Sequence, residues 1–94
     1  MVSLHPAAIE EAREARRFYA ERDPRLADAF MAELDHAIER IQAQPDAWPP
    51  HDHGTRRFLT RRFPYAVVYR ARGESLEVIA FAHLRRRPGY WKER

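Results

Sequence analysis

Residues 65–83 read YAVVYRARGESLEVIAFAH. This stretch decides the fold class, because its side chains alternate with a period of two. Such alternation is typical of β-strands, in which successive side chains point to opposite faces of a sheet. Residues 72–75 (RGES) interrupt it with a glycine-containing turn. The stretch therefore predicts two antiparallel strands joined by a hairpin.

The same period extends towards the N-terminus of this stretch. Residues 57–62 alternate in the same way, and Pro64 separates them from the next run. Residues 45–55 (PDAWPPHDHGT) contain three prolines and predict an irregular connector, which we expect Trp48 to anchor to the core. Val2–His5 suits a short strand that can join the sheet. Three consecutive strands with short turns predict an antiparallel meander.

Residues 6–44 show the period of a helix instead. Asp23-Pro24 combines a capping residue with a first-turn proline, which predicts that one helix ends and a second begins there. The second helix carries the stronger apolar stripe, which consists of Leu26, Phe30, Leu34, Ile38 and Ile41. The sequence thus predicts an α+β fold in which a two-helix hairpin packs on one face of a small antiparallel sheet, with residues 1–94 as one domain.

The two faces of the predicted sheet differ in character. The larger apolar set, including Tyr65 and Tyr69, is expected to meet the helices. The opposite face then receives the strand arginines and His83, and residues 84–94 add further arginines with Tyr90 and Trp91. We expect a basic surface with exposed aromatic side chains.

Composition excludes several classes of protein. The chain has no cysteine, which removes disulfides, thiolate metal sites and a cysteine nucleophile. No apolar run approaches the roughly 20 residues of a membrane span and no signal pattern opens the chain, so we expect a cytoplasmic protein without membrane contact. His51 and His53 lack a third nearby ligand, and no glycine-rich phosphate loop occurs, so neither a metal nor a cofactor is expected.

Charge is segregated along the chain. Residues 1–50 carry six arginines and ten acidic residues, a net charge of −4, whereas residues 51–94 carry eleven basic and four acidic residues, a net charge of +7. Sixteen of the seventeen basic residues are arginine, which favours planar contacts to phosphate or carboxylate groups. Residues 51–94 are therefore expected to bind an anionic target, and an acidic partner protein would complement their positive charge.

Five segments of the chain, in this order and at these spacings, form a recognisable pattern: Leu4–Ala8, Phe18-Tyr19, Pro45–Pro49, Arg62–Tyr69 and His83–Trp91. With them the chain resembles the small toxins of bacterial and archaeal type II toxin–antitoxin modules, the RelE/ParE superfamily. This resemblance implies the same fold, a toxin that arrests growth, and an antitoxin that wraps and neutralises it.

Two mechanisms coexist in that superfamily. RelE-like members cut mRNA on the ribosome, a reaction for which His83 or Tyr90 would transfer protons and Arg86, or the strand arginines, would stabilise charge. ParE-like members inhibit DNA gyrase without cleavage. The early strands offer arginines where RelE-like members place lysines, and the Phe-Pro-Tyr and Arg-Pro-Gly-Tyr-Trp segments look closer to the ParE-type plasmid-stabilisation members.

Three functional hypotheses follow. The first is a ParE-like toxin, the second a RelE-like nuclease, and the third a nucleic-acid-binding module that is not toxic. In each of them the same residues are expected to contact the target or nucleic acid, namely Arg57, Arg61, Arg62, Arg85, Arg87 and Trp91.

Overall fold

A computed structural model describes residues 1–94 and confirms the α+β prediction. Two helices pack on one face of a five-stranded sheet whose strand order is β1-β5-β4-β3-β2. The elements are β1 (Val2–Leu4), α1 (Pro6–Arg22), α2 (Pro24–Ala43), β2 (Pro50–His51), β3 (Thr55–Leu59), β4 (Tyr65–Arg72) and β5 (Ser75–His83), with a 3-10 turn over Asp52–Gly54.

The helical hairpin turns at a single residue. The backbone N–H of Asp23 donates to the carbonyl of Tyr19 at 2.9 Å, which closes α1. The Asp23 carboxylate accepts the N–H of Arg25 at 2.9 Å, which caps α2. Asp23 can serve both helices because its backbone is extended while proline follows it. Neither helix is long and apolar enough to span a membrane.

The sheet is mixed rather than wholly antiparallel. Strands β3 to β5 form the predicted three-stranded antiparallel meander, and β2 pairs antiparallel with β3. β1 lies parallel to β5, with Val2 opposite Leu76 and Leu4 opposite Val78. The connector that was expected to be irregular also contains the two-residue strand β2. Its Pro50 is tolerated because β2 is an edge strand, where one side of the backbone needs no partner.

The core lies between the hairpin and one sheet face. α1 contributes only small buried side chains (Ala8, Ala12 and Ala15), so it can pack closely on the sheet, whereas α2 inserts larger ones. Trp48 packs on Phe58 with ring centres 4.8 Å apart and anchors the connector as expected. The larger buried residues come from α2, the sheet and the loop between β3 and β4, and are chiefly Phe30, Leu34, Ile41, Phe63, Val67, Tyr69 and Phe81.

Candidate functional site

A β-bulge decides which side chains reach each face of the sheet. Val68 lies opposite Ala80 and Tyr69 opposite Val78, so Ile79 has no partner on β4. The extra residue shifts the alternation, so that Phe81 and His83 point to the helix side. The prediction that His83 lies on the opposite face is therefore wrong: its ring meets Tyr65 edge to face at 5.2 Å.

A cleft of about 380 Å³ lies between α1, the end of β5 and the C-terminal segment. All three residues proposed for nuclease chemistry line it, namely His83, Arg86 and Tyr90. Glu11 and Glu14 from α1 face them. The structure thus brings the candidate catalytic residues together and adds two carboxylates that sequence reasoning had not connected with them.

Tyr90 is held as a hydrogen-bond donor. Its hydroxyl donates to the Glu11 carboxylate, and the Arg86 guanidinium carbon lies 3.9 Å from the centre of its ring. The pKa of Tyr90 lies well above its ordinary value of 10.0. Burial is the largest cause, and the hydrogen bond to Glu11 and the negative charge of Glu11 raise the pKa further. The phenol therefore stays protonated near neutral pH, and its proton is engaged by Glu11, which lines the same cleft.

His83 is also engaged within the chain. Its Nδ1 accepts the backbone N–H of Arg85 at 3.0 Å. A neutral imidazole that accepts at Nδ1 carries its proton on Nε2. The ring can therefore offer a donor to the cleft, whereas a general base would need an unprotonated nitrogen there.

Glu11 connects three parts of the fold. Besides the Tyr90 hydroxyl, it accepts the backbone N–H of Phe81 at 3.1 Å and pairs with Arg94 at 2.9 Å. Arg94 in turn donates to the carbonyl of Ile79 at 3.0 Å. Together Glu11 and Arg94 occupy the edge of β5 beyond the end of β1, where no neighbouring strand supplies partners.

Trp91 was proposed as a target contact, with folding back to cover the sheet as the alternative, and the structure shows it folded back. Only 4% of Trp91 is exposed, because its ring packs on the outer sheet face, the face away from the helices. The neighbouring buried residues there are Val68, Ile79, Ala80 and Ala82. His53 meets the Trp91 ring edge to face at 5.9 Å. The ring packs there because this face is apolar, and burying apolar surface away from water is favourable.

The remaining arginines of the predicted contact set are exposed. We call Arg57, Arg61, Arg62, Arg85, Arg86 and Arg87 the free-arginine cluster, because no carboxylate oxygen lies within 4.0 Å of their guanidinium nitrogens. Two exposed leucines, Leu59 and Leu84, accompany them. Other arginines of the same half are neutralised: Glu77 binds both Arg70 and Arg72 at 2.9 Å.

The loop between β3 and β4 holds two members of this cluster in place. The Glu33 carboxylate of α2 accepts the backbone N–H groups of Arg62 at 2.9 Å and Phe63 at 3.4 Å. Thr60 closes the loop from within by donating its hydroxyl to the carbonyl of Phe63. Arg61 and Arg62 therefore project from a backbone that is fixed at both ends.

A second groove, of about 300 Å³, lies on the helical hairpin. Its walls are mainly apolar and include Ile9, Met31 and Ile38. Arg13 and Arg16 stand at its rim, with Asp35 also lining it. The groove therefore offers an apolar surface with basic side chains beside it.

A helical hairpin packed on a sheet of this order is the fold that the resemblance to small toxins implies. A family model described as "ParE toxin of type II toxin-antitoxin system, parDE" matches residues 2–88. The chain belongs to this family. A search of curated proteins finds no match.

A solved structure shares this fold. It is a chain of a chromosomal ParDE toxin–antitoxin system from P. aeruginosa, 16% identical in sequence to this one with a TM-score of 0.78. The alignment covers 88% of this chain and 94% of that chain. At this identity the similarity concerns the fold alone.

Proposed function

We propose that this protein is a toxin that arrests growth by binding its target, in the manner of ParE-like proteins, and that a cognate antitoxin neutralises it. DNA gyrase is the target that we propose first. The observation that carries the binding mechanism is the engagement of both candidate proton-transfer groups: Tyr90 donates to Glu11, and His83 accepts at Nδ1 from Arg85. Neither presents a base to a substrate in the cleft.

The free-arginine cluster is the proposed target surface. Six exposed guanidinium groups without carboxylate partners remain available to attract an anionic surface. Leu59 and Leu84, about half exposed, would add apolar contact beside them. Because Trp91 is buried, target contact is assigned to the arginines and not to its ring.

The groove on the helical hairpin is the proposed antitoxin site. An amphipathic antitoxin helix would place its apolar face on Ile9, Met31 and Ile38 and its acidic residues beside Arg13 and Arg16. The similar P. aeruginosa chain comes from such a toxin–antitoxin system, which supports an antitoxin partner here. A change of Ile38→Asp should weaken antitoxin binding while growth arrest persists, because the target surface is elsewhere.

The RelE-like alternative has one specific observation in its favour, since His83, Arg86 and Tyr90 line a single cleft. Ribosome-dependent cleavage of mRNA after induction would support it, whereas loss of DNA supercoiling by purified gyrase would support the ParE-like mechanism. His83→Ala and Tyr90→Phe variants separate the two, because a binding toxin should retain its activity with either change when stability is matched.

The third hypothesis is tested by growth arrest itself. If the induced protein arrests growth neither with its antitoxin nor without it, the non-toxic nucleic-acid-binding module would be favoured.

A further inference from the structure

Three aromatic side chains and one carboxylate line a part of the cleft beside α1 that has no role in the proposed function. They are Phe18, Tyr19, Tyr65 and Glu14, which we call the aromatic-acidic wall. Phe18 is 49% exposed, and its ring meets the Tyr19 ring edge to face at 5.3 Å. The wall therefore presents aromatic surface and one negative charge to the open cleft.

The Glu14 carboxylate has no cationic partner within the chain. It forms no ion pair, whereas Glu11 in the same cleft pairs with Arg94 at 2.9 Å. Glu14 nevertheless lies close enough to Tyr65 to affect its titration. Burial is the largest cause that raises the pKa of Tyr65, and the charges of Tyr19, Glu11 and Glu14 add to it. The negative charge of Glu14 is therefore available inside the cleft.

The hydroxyl groups of the wall are also free to bind a ligand. Neither the Tyr19 nor the Tyr65 hydroxyl is hydrogen bonded within the chain, and neither is buried without a partner, so both reach solvent. A phenol hydroxyl can accept a hydrogen bond as well as donate one. Together with the Glu14 carboxylate, the two hydroxyls supply three acceptor groups beside the exposed Phe18 ring.

This combination of groups suits a basic side chain. A guanidinium or ammonium group is attracted both by a carboxylate and by the face of an aromatic ring. The Phe18 ring already shows the second contact, because the Arg22 guanidinium carbon lies 3.6 Å from its centre. Arg22 does not line the cleft, and the volume of about 380 Å³ leaves room for a basic side chain from another molecule.

The position of the wall on α1 favours the target over the antitoxin as the source of that side chain. Ile9 and Arg13 line the groove proposed for the antitoxin, whereas Glu14 and Phe18 line the cleft. At about 3.6 residues per turn, the two pairs lie on opposite sides of the helix. Arg86, a member of the free-arginine cluster, also lines the cleft. The wall is therefore continuous with the proposed target surface.

We propose that the aromatic-acidic wall binds one arginine or lysine side chain of the target protein. The choice of the target as the source rests on the proposed function. The free-arginine cluster attracts an acidic surface, so a basic side chain is favourable only at the wall, where Glu14 and the rings offset its charge. The wall thereby selects the position in which the target docks, because a displaced basic side chain would meet the arginines instead.

The first test is an NMR titration of the whole labelled protein with N-acetyl-arginine methylamide at constant ionic strength. N-acetyl-citrulline methylamide, which has nearly the same shape without the charge, is the ligand control. We expect saturable shifts of the Phe18 and Tyr65 ring signals with the arginine compound alone. Glu14→Gln should weaken this binding about tenfold, and Phe18→Leu should weaken it about threefold.

Glu21→Gln is the matched control for this titration. Glu21 is an exposed glutamate of α1 that forms no ion pair and lines neither the cleft nor the antitoxin groove. Glu14→Gln should keep the unfolding temperature of the parent protein, because Glu14 has no ion pair to lose. Shifts that do not saturate, equal shifts with the citrulline compound, or an equal loss of binding in Glu21→Gln would overturn the proposal.

The second test identifies the source of the basic side chain. Glu14→Gln should inhibit supercoiling by purified gyrase about tenfold less strongly, while its affinity for the antitoxin stays unchanged. Weaker antitoxin binding with full inhibition of gyrase would overturn the assignment to the target.

The two proposals fail in different ways. If the parent protein binds the arginine compound but neither inhibits gyrase nor arrests growth, the proposed function is wrong and the cation site remains. If it inhibits gyrase but binds no arginine compound, the cation site alone is refuted.

Discussion

The Glu11 carboxylate accepts the hydroxyl proton of Tyr90 and thereby joins the middle of α1 to the C-terminal segment. The same carboxylate binds Arg94, and both members of this ion pair are largely buried, with side chains 14% and 18% exposed. Removing one partner of such a network leaves the others unsatisfied in a place that water reaches poorly.

We therefore predict that Glu11→Gln lowers the free energy of unfolding by about 2 kcal/mol, because the neutral amide cannot serve both Arg94 and Tyr90. Thermal unfolding should move down by roughly 10 °C in a domain of this size. Glu14→Gln is the control, since Glu14 lines the same cleft but forms no ion pair. Equal unfolding temperatures for the two variants would contradict the role of Glu11.

A second prediction concerns alkaline pH. Burial is the largest cause that raises the pKa of all four tyrosines, and together with the nearby charges of Tyr19, Glu11 and Glu14 it raises the pKa of Tyr65 to about 12. The folded state thus holds these protons more tightly than the unfolded chain, whose tyrosines titrate near 10. The stability that this contributes is complete below about pH 10 and is lost as pH rises towards 12.

Absorbance by ionised tyrosine, measured against pH in the folded protein and in denaturant, checks this. The folded protein should show little ionisation at pH 10, where the denatured chain is about half ionised. In Tyr65→Phe the free energy of unfolding should fall less steeply between pH 10 and 12, because the Tyr65 hydroxyl proton no longer contributes to it. A folded titration curve that overlays the denatured one would refute the prediction.

The third prediction tests how the C-terminal segment is held. Trp91→Ala should destabilise the protein by about 3 kcal/mol, because it leaves Val68 and Ile79 without their apolar cover. Residues 84–94 should also become sensitive to protease before the rest of the chain unfolds. Leu84→Ala is a suitable comparison, since Leu84 is 53% exposed and its loss removes little buried area. Resistance of both variants to cleavage would count against this packing.

The sequence predicted the parts of the fold whose signals are local. The spacing of Leu26, Phe30 and Leu34 determined the second helix, and a glycine turn located the hairpin between β4 and β5. The bulge at Ile79 escaped prediction because residues 78–82 are apolar on both faces, so a shift of one residue leaves no trace in their alternation.

The candidate site was only partly predictable for a different reason. Glu11 contacts Phe81, Tyr90 and Arg94, which are 70, 79 and 83 residues away in sequence, so its role depends on how the C-terminal segment docks. The burial of Trp91 depends on the same docking. The segregation of basic charge, by contrast, was visible in composition, and it correctly placed exposed arginines on the second half of the chain.

The last prediction concerns Glu33 as a positioning residue for the proposed target surface. Glu33→Gln should release the N–H groups of Arg62 and Phe63 from their charged acceptor and increase hydrogen exchange in residues 60–64. Because Arg61 and Arg62 would then have to be ordered upon binding, target affinity should fall about fivefold, whereas thermal stability should change by only a few degrees.

Glu33→Asp provides the complementary variant, since it retains the charged acceptor but shortens its reach. Glu39→Gln is the matched control, because Glu39 is an exposed residue of the same helix that contacts no loop backbone. Growth arrest and loop exchange should change together in Glu33→Gln and remain unchanged in Glu39→Gln. Faster loop exchange with full toxicity would show that a fixed loop is not needed for target binding, whereas reduced toxicity with unchanged exchange would place the effect of Glu33 outside the loop.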